Sequence, residues 1–202
     1  MQSRTRPTGA ETTATIIRVA TEIFAEDGYA DVSLRDIADR VGITPPAIYL
    51  YFNDKRRLYV ECCRIAFLDM TDKIAETLKS GKTPAEQLRD FVHTLVRQLL
   101  INPNTTKLFQ RELIAKDHEI LSLLEREAFE DTFNLLIQRL HEATGTPPSA
   151  LRAASIHALI LGIIQYAELL ESSGDQSLSF KDNPGDLAEH VLRTTIPELS
   201  GK

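Results

Sequence analysis

The stretch VSLRDIADRVGITPPAIYLYFNDKRRLY, Val32 to Tyr59, decides how the chain is read. Leu34, Ile37, Ala38 and Val41 recur at i, i+3, i+4 and i+7, which makes one face of a short helix apolar. Ser33 stands ahead of it as an N-cap. Gly42 breaks the helix, and Thr44 is placed to cap a second short helix ending near Tyr51. An eight-residue helix, a glycine-centred turn and another short helix make a helix-turn-helix. Many helical hairpins share this periodicity, so spacing alone does not separate a packed helix pair from one that enters a DNA major groove. Between Thr44 and Tyr59 stand three tyrosines, a phenylalanine and Lys55-Arg56-Arg57. That mixture suits a packed helix end, or a surface laid against phosphates.

Charge narrows the choice. The 202-residue chain has a net charge of −6, which argues against indiscriminate binding to polyanions. The first 64 residues hold 9 Lys+Arg and 9 Asp+Glu, so the whole negative excess lies behind them. Any part that meets a polyanion is the front. No apolar run is expected to reach the roughly 18–20 residues that span a membrane, the longest lying around Ala158–Ile164, and the polar start MQSRTRPTGAETT shows no secretory signal. Cys62 and Cys63, the only cysteines, are adjacent and make neither a structural disulfide nor a metal site. A cytoplasmic, reduced chain is expected.

The rest reads as helix throughout. Expected helices run from about Glu11 to Glu26, from Asp54 onward, from a Thr83/Glu86 capping box with Pro84 at the first position to Ile101, and onward from Asn102-Pro103 or Asn104. A long one follows from Asp117 to about Ala143, then Ser149 to Ser172 and Asn183 to about Thr195. About nine helices and no strand make the fold class all-α. The segment ALILGIIQYAELL is apolar on nearly all sides and needs neighbours all round.

The string from Val32 to Tyr59 resembles the DNA-binding segment of the tetracycline-repressor (TetR/AcrR) family. The matching positions are Ser33, Ile37-Ala38, Val41-Gly42-Ile43, Ile48-Tyr49, Phe52, Asn53, Lys55 and Leu58. With the approach AEDGYADVSLRDIA, the resemblance covers roughly residues 11–62. It implies an N-terminal three-helix DNA-binding domain over residues 1–62, with 1–10 flexible, and a helical effector-binding and dimerisation domain over 63–202. It also implies a double-stranded, palindromic operator. Phosphate contacts fall to Ser33, Thr44, Tyr49, Tyr51 and Lys55, with Tyr49 alternatively a core tyrosine. Arg35 is either half of an exposed helix ion pair or a guanine reader. Arg56 and Arg57 read as solvated face. Two departures stand out. Pro45-Pro46 occupy places where relatives carry a polar or basic residue and then glycine, and Tyr51 stands where histidine is frequent. The recognition surface becomes Pro45, Pro46, Ala47 and Leu50, which can touch thymine methyls but cannot make bidentate bonds to guanine.

For the back module, the resemblance implies a homodimer through the last two long helices. Its expected seam holds Leu159, Gly162, Ile163, Tyr166, Leu187 and Val191. A small, mostly apolar effector would sit among Phe67, Met70, Phe91, Leu95, Phe109, Glu112, Phe133, His157, Leu161 and Gln165. Plain core remains the simpler reading of each. Arg111 and Glu112 read equally well as helix ion-pair partners. A helical enzyme is the competing class. It lacks a His-Glu-x-x-His pattern, a Gly-rich phosphate loop and a base beside the cysteines, and no cofactor or metal is expected. A helical adaptor without DNA is the third reading.

Overall fold

The computed structural model describes residues 8–174, 179–180 and 183–199. Among them are ten α-helices and no strand. They are α1 (Gly9–Asp27), α2 (Leu34–Val41), α3 (Pro45–Ile48), α4 (Lys55–Lys79), α5 (Pro84–Ile101), α6 (Pro103–Ala115), α7 (His118–Leu124), α8 (Glu130–Thr144), α9 (Ala150–Ser172) and α10 (Pro184–Thr195). Two packing units form. One joins the chain up to Phe67 with Asn104–Leu124, and the other joins Leu68–Pro103 with the chain from Glu125 on. The units are discontinuous in sequence, and the division expected at residue 62 falls inside α4.

In the first unit, α1 starts earlier than its apolar stripe announces. Thr8 and Glu11 form a reciprocal capping box, so residues 8–10 are a cap and a first turn; the rest of the stretch expected to be flexible, 1–7, lies outside the described residues. Ile16, Ala20, Ile23 and Phe24 are buried. α2 is set by the Ser33/Asp36 box and ends at Gly42, whose left-handed backbone (φ 80°) lets its N–H reach the Ala38 and Asp39 carbonyls. Ile37, Ala38, Ile48, Phe52 and Leu58 are buried and fix α2 against α3. Cutting Ile37, Ile48, Phe52 or Leu58 back to alanine costs about 2–5 kcal/mol.

α6 and α7 belong to this unit through three polar ties. The Arg111 guanidinium donates to the carbonyls of Ala25 (3.2 Å) and Glu26 (2.7 Å), the last turn of α1. The Tyr59 hydroxyl donates to Glu112 inside the core. Arg56 donates to Asp117 (2.7 Å) and Glu119 (2.8 Å). The expected Arg111–Glu112 ion pair gives way to these long-range bonds, because the two side chains leave α6 in different directions.

In the second unit, α5 packs against α8, α9 and α10. Leu88, Phe91, Val92, Leu136, Ile156, Ile160, Leu187 and Val191 are buried there. The Thr83/Glu86 box starts α5 as expected. The single helix expected over 117–143 is instead α7, one π-helical turn (Glu125–Phe129) and α8. With neither glycine nor proline in that turn, periodicity reads straight through it. α9 carries a mean hydropathy of 1.5 over an 18-residue window, enough by length and composition to cross a membrane. His157 and Gln165 divide its apolar sequence into shorter runs, so no single run reaches the expected spanning length. Its buried stripe, Ala153, Ile156, Ile160, Ile164 and Ala167, packs within the unit.

Candidate nucleic-acid interface

α3 is a single short turn of helix. Pro45 and Pro46 occupy its first two positions, where N–H groups would lack helical partners anyway. Thr44 has the extended backbone of an N-cap, but its side chain makes no capping bond. The expected cap is therefore made by the backbone alone. After Ile48 the chain turns on, with Leu50 N–H reaching the Ala47 carbonyl and Tyr51 N–H the Ile48 carbonyl. Ile48 and Phe52 point into the core, so Tyr49, Leu50 and Tyr51 point out, at 55%, 84% and 36% exposure. Thr44 and Pro46 are exposed, and Pro45 and Ala47 half-buried.

Two of the expected phosphate ligands are otherwise engaged. The Lys55 ammonium donates to the carbonyls of Tyr29 (2.7 Å), Ala30 (3.3 Å) and Val32 (2.7 Å). It also lies 4.3 Å from the centroid of the Tyr29 ring. An ammonium has three N–H donors, and all three are used, so Lys55 ties the α1–α2 connection down instead of reaching outward. The Ser33 hydroxyl donates its one proton to Asp36 (2.6 Å), and the neighbouring carboxylate repels a phosphate. Ser33 is a cap.

The arginines of this unit divide by their partners. Arg56 is held by Asp117 and Glu119. Those bonds raise the Arg56 guanidinium above its ordinary range and hold the Asp117 carboxyl down at about 2. Arg64 pairs with Glu61. The guanidinium groups of Arg35, Arg40 and Arg57 make no hydrogen bond or ion pair among the described residues. Arg57 and Tyr51 border the same open cleft of about 560 Å³. Arg57 is solvated, as expected, whereas Arg56, expected on the same solvated face, is half-buried and tied to Asp117 and Glu119 from α7 and the turn before it.

Behind this surface lies a buried polar group. Glu112 accepts from Tyr59, while its Oε2 has no partner. Burial raises its carboxyl above the usual carboxylate range. Phe24 and Tyr29 pack against Tyr59. Cys62 and Cys63 are buried, and burial pushes the Cys62 thiol up to about 12 and raises Cys63 further.

The expected effector residues fall in both units. Phe67, Phe109 and Glu112 belong to the first, where Phe67 and Phe109 stack edge to face. Met70, Phe91, Leu95, Phe133, His157, Leu161 and Gln165 belong to the second. There His157 lies between Phe91 and Phe133, with its Nδ1 3.0 Å from the Ala153 carbonyl. Gln165 is exposed, and a residue turned to solvent does not line an interior site. A cleft of about 130 Å³ in the second unit is lined by other residues, among them Leu99, Ile164, Ala167 and Phe180.

Of the expected seam, Leu187 and Val191 are buried in the second unit. The one apolar stripe of α10 is used within the chain, so neither residue is free for a partner. Leu159 and Ile163 are half-buried, while Gly162 and Tyr166 are exposed. With Leu151, Ala158 and Leu169 they make a second stripe along α9, opposite its buried one.

Residues 16–62 match the family model described as bacterial regulatory proteins, tetR family. The transcriptional repressor KstR of Mycobacterium tuberculosis is 27% identical over 111 residues, 55% of this chain and 50% of that protein. The regulator TtgR of Pseudomonas putida is 30% identical over 110 residues, 54% and 52%. The chain thus spans about half the length of the curated relatives it matches. Likeness of fold extends further. The fatty acid degradation regulator FadR of Bacillus halodurans superposes with a TM-score of 0.68 at 20% identity, over 93% of this chain and 97% of that one. A TetR family regulator of Marinobacter aquaeolei does so at 0.71 and 18% identity, over 89% and 93%. On the motif from Val32 to Tyr59 and the family model across it, residues 16–62 are similar to the DNA-binding segment of the tetR family of bacterial regulatory proteins, and the all-helical fold behind them is like that of solved regulators.

Proposed function

We propose that the protein is a dimeric, ligand-responsive transcriptional regulator of the cytoplasm that binds a palindromic DNA operator through α3, most simply as a repressor. The observation that carries this is the surface of α3 and its flank. A proline-fixed helix start, two exposed tyrosines and an exposed leucine stand on a buried core, and three unpaired arginines lie in the same unit. Tyr49 and Tyr51 supply hydroxyls and Arg40 and Arg57 supply charge for phosphates, while Arg35 and the α3 surface meet bases. A dimer presents each set twice, with half-sites about 34 Å apart.

The exposed stripe on α9 supports dimerisation, since a helix apolar on two faces satisfies one face within the chain and the other against a copy. The apolar cleft of the second unit supports a small, mostly apolar effector, without fixing its site. Such a ligand would release the operator by binding the DNA-free state more tightly, which is a shift of populations. The test is fluorescence anisotropy with random-sequence duplex and with a duplex selected from a random pool, at several salt concentrations. Binding that prefers the selected duplex supports the proposal. Absence of DNA binding at low salt overturns it and favours a helical adaptor.

A further inference from the structure

Resting on the reading of α3 as the DNA-reading helix, we infer that this chain selects its half-site chiefly through the 5-methyl groups of thymine, with Leu50 as the main contact and Pro46 and Ala47 beside it. Leu50 is 84% exposed, the highest value among the exposed large hydrophobic side chains. Nothing among the described residues covers it. Its position is fixed, because the flanking Ile48 and Phe52 are buried and its own N–H is bonded to the Ala47 carbonyl. Ala47 lies three residues before Leu50, so the two share one side of the turn.

The surface has little else to read with. Pro45, Pro46, Ala47 and Leu50 carry no side-chain donor or acceptor. Guanine, cytosine and adenine are distinguished in the major groove by hydrogen-bonding groups, whereas thymine alone among the four offers a methyl. An apolar reader in that groove therefore has one favourable base edge. Against the others it buries polar atoms without partners, which is unfavourable. Selectivity for thymine arises from both sides of that comparison. Arg35 lies on α2, outside this surface, and is free to read a neighbouring base.

The experiment begins with selection of 30-base-pair duplexes from a random pool by the full-length protein. The selected site is then made with thymine, with uracil in place of single thymines inside the half-sites, and with uracil outside them as a control for duplex flexibility. Loss of one buried methyl should weaken binding about fourfold per contact, and the outside substitutions should change nothing. In the Leu50→Ala variant, the thymine–uracil difference should vanish at one position per half-site. Circular dichroism checks that the variant is folded, as the exposure of Leu50 leads one to expect. Equal affinity for thymine and uracil sites, or selected half-sites without thymine at the α3 positions, overturns the inference while leaving DNA binding intact. Failure to retain any duplex removes the DNA-binding reading itself and this inference with it.

Discussion

Replacing Lys55 with methionine separates two roles that look alike in sequence. The variant keeps the unbranched stem and removes the ammonium. Two of its bonds, to Tyr29 and Val32 at 2.7 Å, have full charge-assisted geometry, and the third, to Ala30 at 3.3 Å, is weak. A hydrogen bond to a charged group contributes about 1.5–3 kcal/mol. The low end applies, because the side chain is half-buried and water can reach the freed carbonyls. Two bonds at about 1.5 kcal/mol, with roughly 0.5–1 kcal/mol from the Tyr29 ring, give a loss of about 3–4 kcal/mol. In a chain of this size that lowers the melting temperature by roughly 10 °C. Urea unfolding followed by circular dichroism measures the loss, and a salt titration of DNA binding is run well below the midpoint. The slope of log K against log salt should match wild type. If stability stays within about 0.5 kcal/mol while the slope falls by about 1 per protomer, Lys55 is a phosphate ligand and the assignment here is wrong.

Gly28→Ala should destabilise by about 2–3 kcal/mol in the same unfolding assay, since a β-carbon at φ 84° is strained and would lie 2.7 Å from the Arg111 guanidinium; an unchanged midpoint would show that the α1 end relaxes freely. Glu112 titrates above the ordinary carboxylate range when folded and normally when unfolded, so between those values the folded state holds a proton the unfolded chain has lost. Its contribution therefore makes stability fall as pH rises through that window. Glu112→Gln keeps an acceptor for Tyr59 and should remove that fall, which paired urea midpoints from pH 4.5 to 8 would reveal; identical pH profiles would count against a raised carboxyl. Tyr166→Arg with Leu169→Arg should convert a dimer to a folded monomer by sedimentation velocity, whereas an unchanged mass would move the seam away from the exposed stripe of α9.

What the sequence made legible was local. Ser33, Gly42 and Thr83 act on neighbours within four residues, and their caps and turns were readable from spacing. The Thr8/Glu11 box is equally local, being Ser/Thr-x-x-Glu, but it lies ahead of the apolar stripe, which begins only at Ile16. The fates of Lys55, Arg111 and Glu112 were not readable. Their partners lie 23–26, 85–86 and 53 residues away, and no periodicity encodes which carbonyl or hydroxyl a folded chain delivers. Leu187 and Val191 show the same limit from the apolar side. A single stripe on α10 announces burial, but does not say whether the cover is α5 of the same chain or a helix of a second copy. The outward turn of Tyr49, Leu50 and Tyr51 was more legible, because the apolar i, i+4 pair Ile48 and Phe52 takes the buried side.

The grip of Arg111 on the last carbonyls of α1 has a consequence for the order in which the protein is made. At the ribosome the first 67 residues appear first, but the unit they belong to is completed only by Asn104–Leu124. The 36 residues between 67 and 104 take roughly 2–7 s to synthesise. During that interval the end of α1 lacks Arg111, Tyr59 has no Glu112, and Arg56 has neither Asp117 nor Glu119. The nascent front is thus a helix-turn-helix without its closing strut, exposed to chaperones and proteases until translation passes α7. A fragment cut after residue 67 would stay in that unfinished condition, so an isolated front unit needs residues 104–124 supplied with it.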